Sequence, residues 1–336
     1  MKNIKKLTVI LLAICMLVFA ACNTGVTDNN SDSNLGEEQK REYTFVMPDG
    51  APSLAAVSLM KNYQQIDGHK VNYKIVPAEN IATEFITGAD IAIMPTNASA
   101  KLFNKGVDLK LLSVNVFGVL YMIGKQPIAS LNDLKGKVVY NIGEGGTPDL
   151  LLKYFLESAN VEYVESTVSV SGKVALAYAS SAQEVMVNIA QNRAEYGVMG
   201  QPVVTNANNN LSTQIVLDFQ QEWQKLNSNG SYPQAGVVVK GNIATDTSFV
   251  QALYQAMQLN GDYLLQNPGE IKGVLEQFNS SLTFNFTKEV VQACNIGCKS
   301  ASEVKPALVE YFTNIMQFDS SFIGGNLPSD NYYLNF

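Results

Sequence analysis

The chain has 336 residues, 46% of them hydrophobic and 16% charged, with a formal net charge of -7. That acidic balance argues against a nucleic-acid partner, which would need a basic surface to meet phosphates. One histidine (His69) and two arginines (Arg41 and Arg193) leave little material for a Ser-His-Asp site, a His-rich metal site or a bidentate arginine clamp, so neither metal nor cofactor is expected.

At the start of the chain Lys2, Lys5 and Lys6 precede an apolar run from Leu7 to Phe19 that ends at Ala20-Ala21-Cys22. A basic start, a short apolar stretch and small residues before a cut point read as an export signal over residues 1–21. The run is shorter than the roughly 20 apolar residues that a spanning helix needs. Phe-Ala-Ala-Cys resembles the lipobox of bacterial lipoproteins, which implies that Cys22 carries lipid. Loss of the signal removes three lysines and no acid, taking the formal charge to about -10. From Asn23 to Arg41 the only sizeable apolar residues are Val26 and Leu35, too few to offset the entropy of ordering, so residues 22–41 read as a lipidated Cys on a disordered tether.

Beyond the tether nearly three hundred residues remain, enough for one large domain or two smaller ones. Tyr-Thr-Phe-Val-Met from Tyr43 predicts a strand, Asp49 to Ser53 a turn, and Leu54 to Tyr63 a helix. Strands follow near Val71–Val76, Ile91–Met94, Leu109–Val116 and Leu120–Gly124, with helices at Ala82–Thr87 and Ala98–Asn104 between them. His69, in the turn-like Asp67-Gly68-His69-Lys70, reads as a solvated loop residue.

A second series begins at Lys137-Val-Val-Tyr-Asn-Ile-Gly and continues with a helix over Pro148–Ala159, a strand around Thr167–Val170 and a helix over Ala182–Asn192. It closes with a strand at Tyr196–Met199, a helix near Pro202–Asn208 and a strand at Gln214–Asp218. Ala235–Val239 is a further strand. After it the periodicity predicts only helices, at Phe249–Gln266, Pro268–Phe278, Thr287–Ala293 and Glu303–Gln317. Alternation of this kind is that of an α/β fold with helices on the faces of a sheet, and two successive units imply two lobes. The helical tail is expected to pack on the first lobe, which gives lobe 1 as 42–130 plus 237–336 and lobe 2 as 131–236. The chain then crosses between lobes near Lys125–Lys137 and Tyr232–Gly236, a hinge around a central cleft.

In such sheets ligands sit beyond the carboxyl ends of the strands, where loops lead into helix N-termini. Asp49-Gly50-Ala51-Pro52-Ser53 is one such loop, with Gly50 free to take unusual dihedrals and Pro52 suited to a first helical turn. Pro95, Thr96 and Asn97 form a second, and Gly143-Glu144-Gly145-Gly146-Thr147-Pro148 a third. The third lacks the lysine of a P-loop and the spacing of a dinucleotide fingerprint. Free amides at these helix starts favour an anion or the negative end of a zwitterion, although Glu144 opposes a purely anionic ligand. Gln201 mirrors the second loop from the other lobe, and Asn115 and Gly118 stand near the hinge. Trp223, the only tryptophan, reads as helical core. Cys294 and Cys298 fit either a disulfide or buried free thiols, and a two-cysteine metal site lacks companion ligands.

Met-Pro-Asp-Gly-Ala-Pro-Ser-Leu-Ala, Ala89 to Asn97, Asp133-Leu-Lys-Gly-Lys137, Gly145 to Asp149 and Ile323 to Asp330, in this order and spacing, resemble the nitrate, sulfonate and taurine type of solute-binding protein. The resemblance implies a type II periplasmic-binding-protein fold, two α/β lobes with a hinge and a cleft, and non-catalytic capture of a small solute for an ABC permease and its ATPase. By position it implies binding roles for Asp49, Gly50, Ala51, Ser53, Thr96, Asn97, Gly146 and Thr147. The solute class is open among sulfonate, nitrate, pyrimidine and other small polar compounds. A monomer held by its lipid on the outer face of a bacterial cytoplasmic membrane is expected. Two alternatives belong to other classes: an enzyme resembling thiamine-pyrimidine synthases, which His69 would have to serve, and a lipoprotein that presents its ligand to a membrane receptor.

Overall fold

In chain order, β1 (Glu42–Pro48) leads into two short helices, α1 (Ala51–Leu54) and α2 (Val57–Asn62), where periodicity predicts one. The hairpin strands β2 (Gln65–Ile66) and β3 (His69–Val76) follow, then α3 (Ile81–Thr87), β4 (Ile91–Pro95), α4 (Thr96–Asn104), β5 (Leu109–Phe117) and β6 (Leu120–Gly124). The middle of the chain forms β7 (Val138–Ile142), α5 (Thr147–Ser158), β8 (Tyr163–Glu165), β9 (Val174–Ala179), α6 (Ala182–Ala190), β10 (Tyr196–Gly200), α7 (Val203–Leu211), β11 (Gln214–Asp218) and α8 (Phe219–Leu226). The last part is β12 (Pro233–Lys240), α9 (Gly241–Ala244), α10 (Thr247–Gln266), α11 (Pro268–Gln277), α12 (Lys288–Ala293), β13 (Ile296–Ser300) and α13 (Ala301–Asp319). The computed structural model describes residues 40–227 and 232–335; the signal segment, Cys22 and the tether up to residue 39 lie outside them.

Side-chain caps explain where several helices start. Ser181 accepts from the Glu184 amide to open α6, and Asp218 from the Gln220 and Gln221 amides to open α8. Asp246 opens α10, and Ser300 with Glu303 forms a capping box on α13.

Two sheets result, one ordered β13-β5-β12-β4-β1-β3-β2 and the other β11-β6-β10-β7-β9-β8. In the first, β1 runs parallel to β3 and β4, while β12 is antiparallel to both β4 and β5. The strands β1, β3, β4 and β5 therefore end at one edge. In the second, β7, β8, β9 and β10 are parallel and β6 is antiparallel to β10 and β11. Central strands β4 and β12 are almost wholly buried because helices cover both faces, whereas β3, near the edge, alternates buried and exposed residues.

The strand Leu120–Gly124 belongs to the second sheet, not the first. The first crossing is therefore at Gly118–Val119 rather than Lys125–Lys137, and the second runs through α8 to Pro233. Every residue of β6 is buried, so its own pattern suits either sheet, and only its pairing with β10 and β11 decides. The two crossings lie side by side. Gly118 has φ +53°, and a Cβ there would stand 1.9 Å from the Gln220 side-chain oxygen. The Val119 amide donates to Gln234 Oε1 at 3.1 Å, and the Leu120 amide to the Tyr232 hydroxyl at 3.4 Å.

Three further expectations change. No strand forms over Thr167–Val170; β8 and β9 flank that segment, where Ser166 and Ser169 hydroxyls donate to the Val168 and Gly136 carbonyls and hold a turn. The helical tail contains a strand after all, β13, which adds to the first sheet against β5. His69 is not solvated: it begins β3 at 4% exposure, stacks on Tyr43 and accepts the Arg41 amide on Nδ1.

From Lys40 onward the chain forms one compact unit, and one apolar cluster runs through it from the first sheet (Val46, Met94, Val238) to the second (Val139, Val198) by way of Phe155, Trp223, Tyr232 and Tyr311. Trp223 is core, as its helical setting predicts, at 1% exposure. Its ring meets Tyr232, Tyr311 and Tyr154 at centroid distances of 5.9, 5.5 and 5.8 Å. This aromatic group joins α8 and α5, which accompany the second sheet, to α13, which packs on the first.

Candidate ligand-binding cleft

The carboxyl ends of β1, β4 and β5 and those of β7, β9 and β10 share the side on which Gly118–Val119 passes from sheet to sheet. At that junction the first turns of α4 and α5 meet. Thr147 Oγ1 donates to Asn97 Oδ1 at 3.1 Å, with both residues at 5% exposure or less. Asn97 follows β4 and Thr147 follows β7, so this one hydrogen bond ties the two sheets' lobes together.

The start of α5 is held firmly. Asp149, fully buried, accepts from the Gly145 amide at 2.9 Å, the Tyr178 hydroxyl at 3.0 Å and Lys153 Nζ at 2.9 Å. Burial alone would lower the Lys153 pKa, but Tyr178 and Asp149 outweigh it and raise the value, so the ammonium stays charged beside its carboxylate. A fixed loop presents Gly146 and Thr147 at the positive end of a twelve-residue helix.

Among the other residues singled out by sequence, several spend their side chains within their own lobe. The Asp49 carboxylate accepts from the Gly50 amide, the Ser280 hydroxyl at 2.6 Å, and the Ser281 amide and hydroxyl at 2.6 and 2.7 Å, which clamps the 280–281 segment to the end of β1. Gly50 takes φ +108° at this turn, Ala51 is buried, and Ser53 donates to the Gly50 carbonyl. Pro95 opens α4, and Thr96 donates to the Pro233 carbonyl at 2.6 Å, tying α4 to β12. Asn115 accepts from Ser113 and donates to the Gly297 carbonyl, which fixes β13. Gln201 takes the Thr205 amide and hydroxyl on its side-chain Oε1, while its backbone N–H donates to the Val119 carbonyl. Glu144 is exposed.

No protein-family model matches the sequence, and no curated protein matches it. Solved structures do. An ABC transporter structure from Parabacteroides distasonis is 24% identical, with 87% of this chain and 98% of that one covered and a TM-score of 0.71. The periplasmic aliphatic sulphonate binding protein SsuA from Escherichia coli is 14% identical over 88% and 97%, at TM-score 0.64. A ligand-binding component of an ABC-type import system from Staphylococcus aureus, with zinc bound, is 12% identical over 88% and 96%, at 0.61. The fold is that of a periplasmic binding protein. At these identities the fold is what is shared.

Six described residues that the sequence does not single out as site residues carry buried polar side-chain atoms without a hydrogen-bond partner: Tyr43, Ser58, Asn141 (both Oδ1 and Nδ2), Trp223 (Nε1), Tyr311 and Tyr333. Asn141 pairs in register with Tyr178, whose hydroxyl reaches Asp149 in the first turn of α5, so the Asn141 amide lies on the α5 side of the sheet. The Tyr311 hydroxyl comes up to Thr147 without making a bond of normal geometry, and burial raises its pKa. An unpartnered buried group of this kind costs about 1–3 kcal/mol. An Asn inside the apolar Val138–Ile142 run is a signal legible in sequence; Tyr311, far along the chain in an ordinary helical pattern, offers none. The single histidine stands at the opposite end of the first sheet, at the start of β3.

Proposed function

We propose that this chain is the extracytoplasmic, lipid-anchored solute-binding component of an ABC importer, capturing a small molecule between its two lobes and closing over it. The observation that carries the reading is the Asn97–Thr147 bond, made by helix starts that follow strands of different sheets. In the closed form these groups seal the junction; in an open form they face the solute that enters. Asn141, Thr147, Tyr311 and the first amides of α5 offer neutral donors and acceptors to it, and capture asks no chemical step of them. The likeness to import-system binding proteins supports the same reading, as does the distance of His69 from the junction. A permease and its ATPase are the partners, the protein acts as a monomer, and Cys22 with its polar tether keeps it near them at raised effective concentration.

Native mass spectrometry of the chain from Glu42 onward, followed by a thermal-shift screen of sulfonates, nitrate, amino acids, pyrimidines and polyamines, tests capture. A saturable ligand recovered chemically unchanged is expected, and steady turnover of any candidate refutes it. In cells, Cys22→Ala is expected to abolish incorporation of labelled fatty acid and release the protein; retention on the membrane would count against the anchor.

A further inference from the structure

Away from the Asn97–Thr147 junction a cavity of about 270 Å³ opens between the lobes. One wall is α7, where Val203, Asn206 and Asn210 recur at helical spacing and so share a face, with Gln183 at the start of α6 beside them. The other is the segment from Ser281 to Phe284, which belongs with the first sheet through the Asp49 clamp. Asn210 donates to Asn206 Oδ1 at 3.0 Å, which orients both amides and leaves Asn206 Nδ2 as donor and Asn210 Oδ1 as acceptor. Phe284 adds an apolar ring, backed by Phe286 at 5.0 Å between centroids.

No lining residue is charged. Amides and hydroxyls that donate and accept in alternation beside one aromatic ring match a molecule with hydroxyls on its edges and C–H groups on its face. An anion meets no cation there, and the Asp49 carboxylate stands behind Ser281. A cation meets no lining carboxylate, since four donors already engage that of Asp49 at 3.1 Å or less. We propose that this cavity is a binding site for an uncharged, hydroxyl-rich small molecule of monosaccharide or cyclitol size, separate from the junction of α4 and α5. It touches both lobes, so its occupation favours closure.

Isothermal titration of the chain from Glu42 onward with D-glucose, myo-inositol and xylitol tests it, with taurine, ethanesulfonate and putrescine as charged comparators. At least one polyol is expected to bind saturably with Kd below about 1 mM. Asn206→Ala and Phe284→Ala are each expected to weaken it at least tenfold, with circular dichroism showing that both variants keep the native fold. Failure of all three polyols to saturate overturns the proposal, as does binding indifferent to both substitutions. A charged comparator that depends on Asn206 overturns the class. A charged comparator lost in Thr147→Val but retained in Asn206→Ala leaves capture standing and this site refuted, whereas silence from every probe counts against both.

Discussion

The Asn97–Thr147 contact makes a quantitative prediction for Thr147→Val, which keeps the shape of the side chain and removes its hydroxyl. In the open form both groups meet water, so the substitution acts on the closed form. There it removes one hydrogen bond and leaves Asn97 Oδ1, on a residue 5% exposed, without its donor. Such an orphaned acceptor costs about 1–3 kcal/mol, which corresponds to a fall of about 5- to 150-fold in the closure equilibrium. Closure is read by pulsed electron paramagnetic resonance between spin labels on Glu79→Cys, in the first lobe, and Thr167→Cys, in the second, both exposed positions. Cys294 and Cys298 are free thiols whose pKa values burial pushes up to about 12 and about 11, so labelling near neutral pH spares them. The short-distance population is expected to fall in Thr147→Val, to return in Thr147→Ser, and to fall no further when Asn97→Ala is added, because the two residues share one interaction. An unchanged distance distribution in Thr147→Val, or full additivity with Asn97→Ala, refutes the reasoning.

Trp223→Ala empties the aromatic group that joins α8, α5 and α13, and is expected to destabilise the fold by about 3–5 kcal/mol in urea unfolding, while Trp223→Phe retains most of the stability. Alkaline pH acts through the thiols. An unfolded cysteine titrates near about 8.5, below the folded values of about 12 and about 11, so above that pH the unfolded chain loses protons first and stability falls up to the folded values. Urea midpoints are expected to drop between pH 8 and pH 10, and less steeply in Cys294→Ala; equal slopes would show that the Cys294 thiol contributes nothing.

The α/β alternation, most strand and helix positions and the helix-start loops are legible from the sequence alone, because periodicity and capping act between residues a few positions apart. Asp218 and Ser300 announce their helices through side chains that reach amides within three residues. Only the tertiary structure decided which sheet receives Leu120–Gly124, since a strand buried throughout carries no mark of its partners. The same holds for β13, whose Ile-Gly-Cys-Lys-Ser lacks alternation and gains its pairing from β5, and for His69, whose turn-like neighbours conceal the packing of Tyr43 and Phe249 around it. The candidate site divides in the same way. Loop chemistry points to Asn97 and Thr147 one at a time, but their contact, the approach of Tyr311 and the face taken by Asn141 arise when distant segments fold together. That is long-range geometry, and no local pattern encodes it.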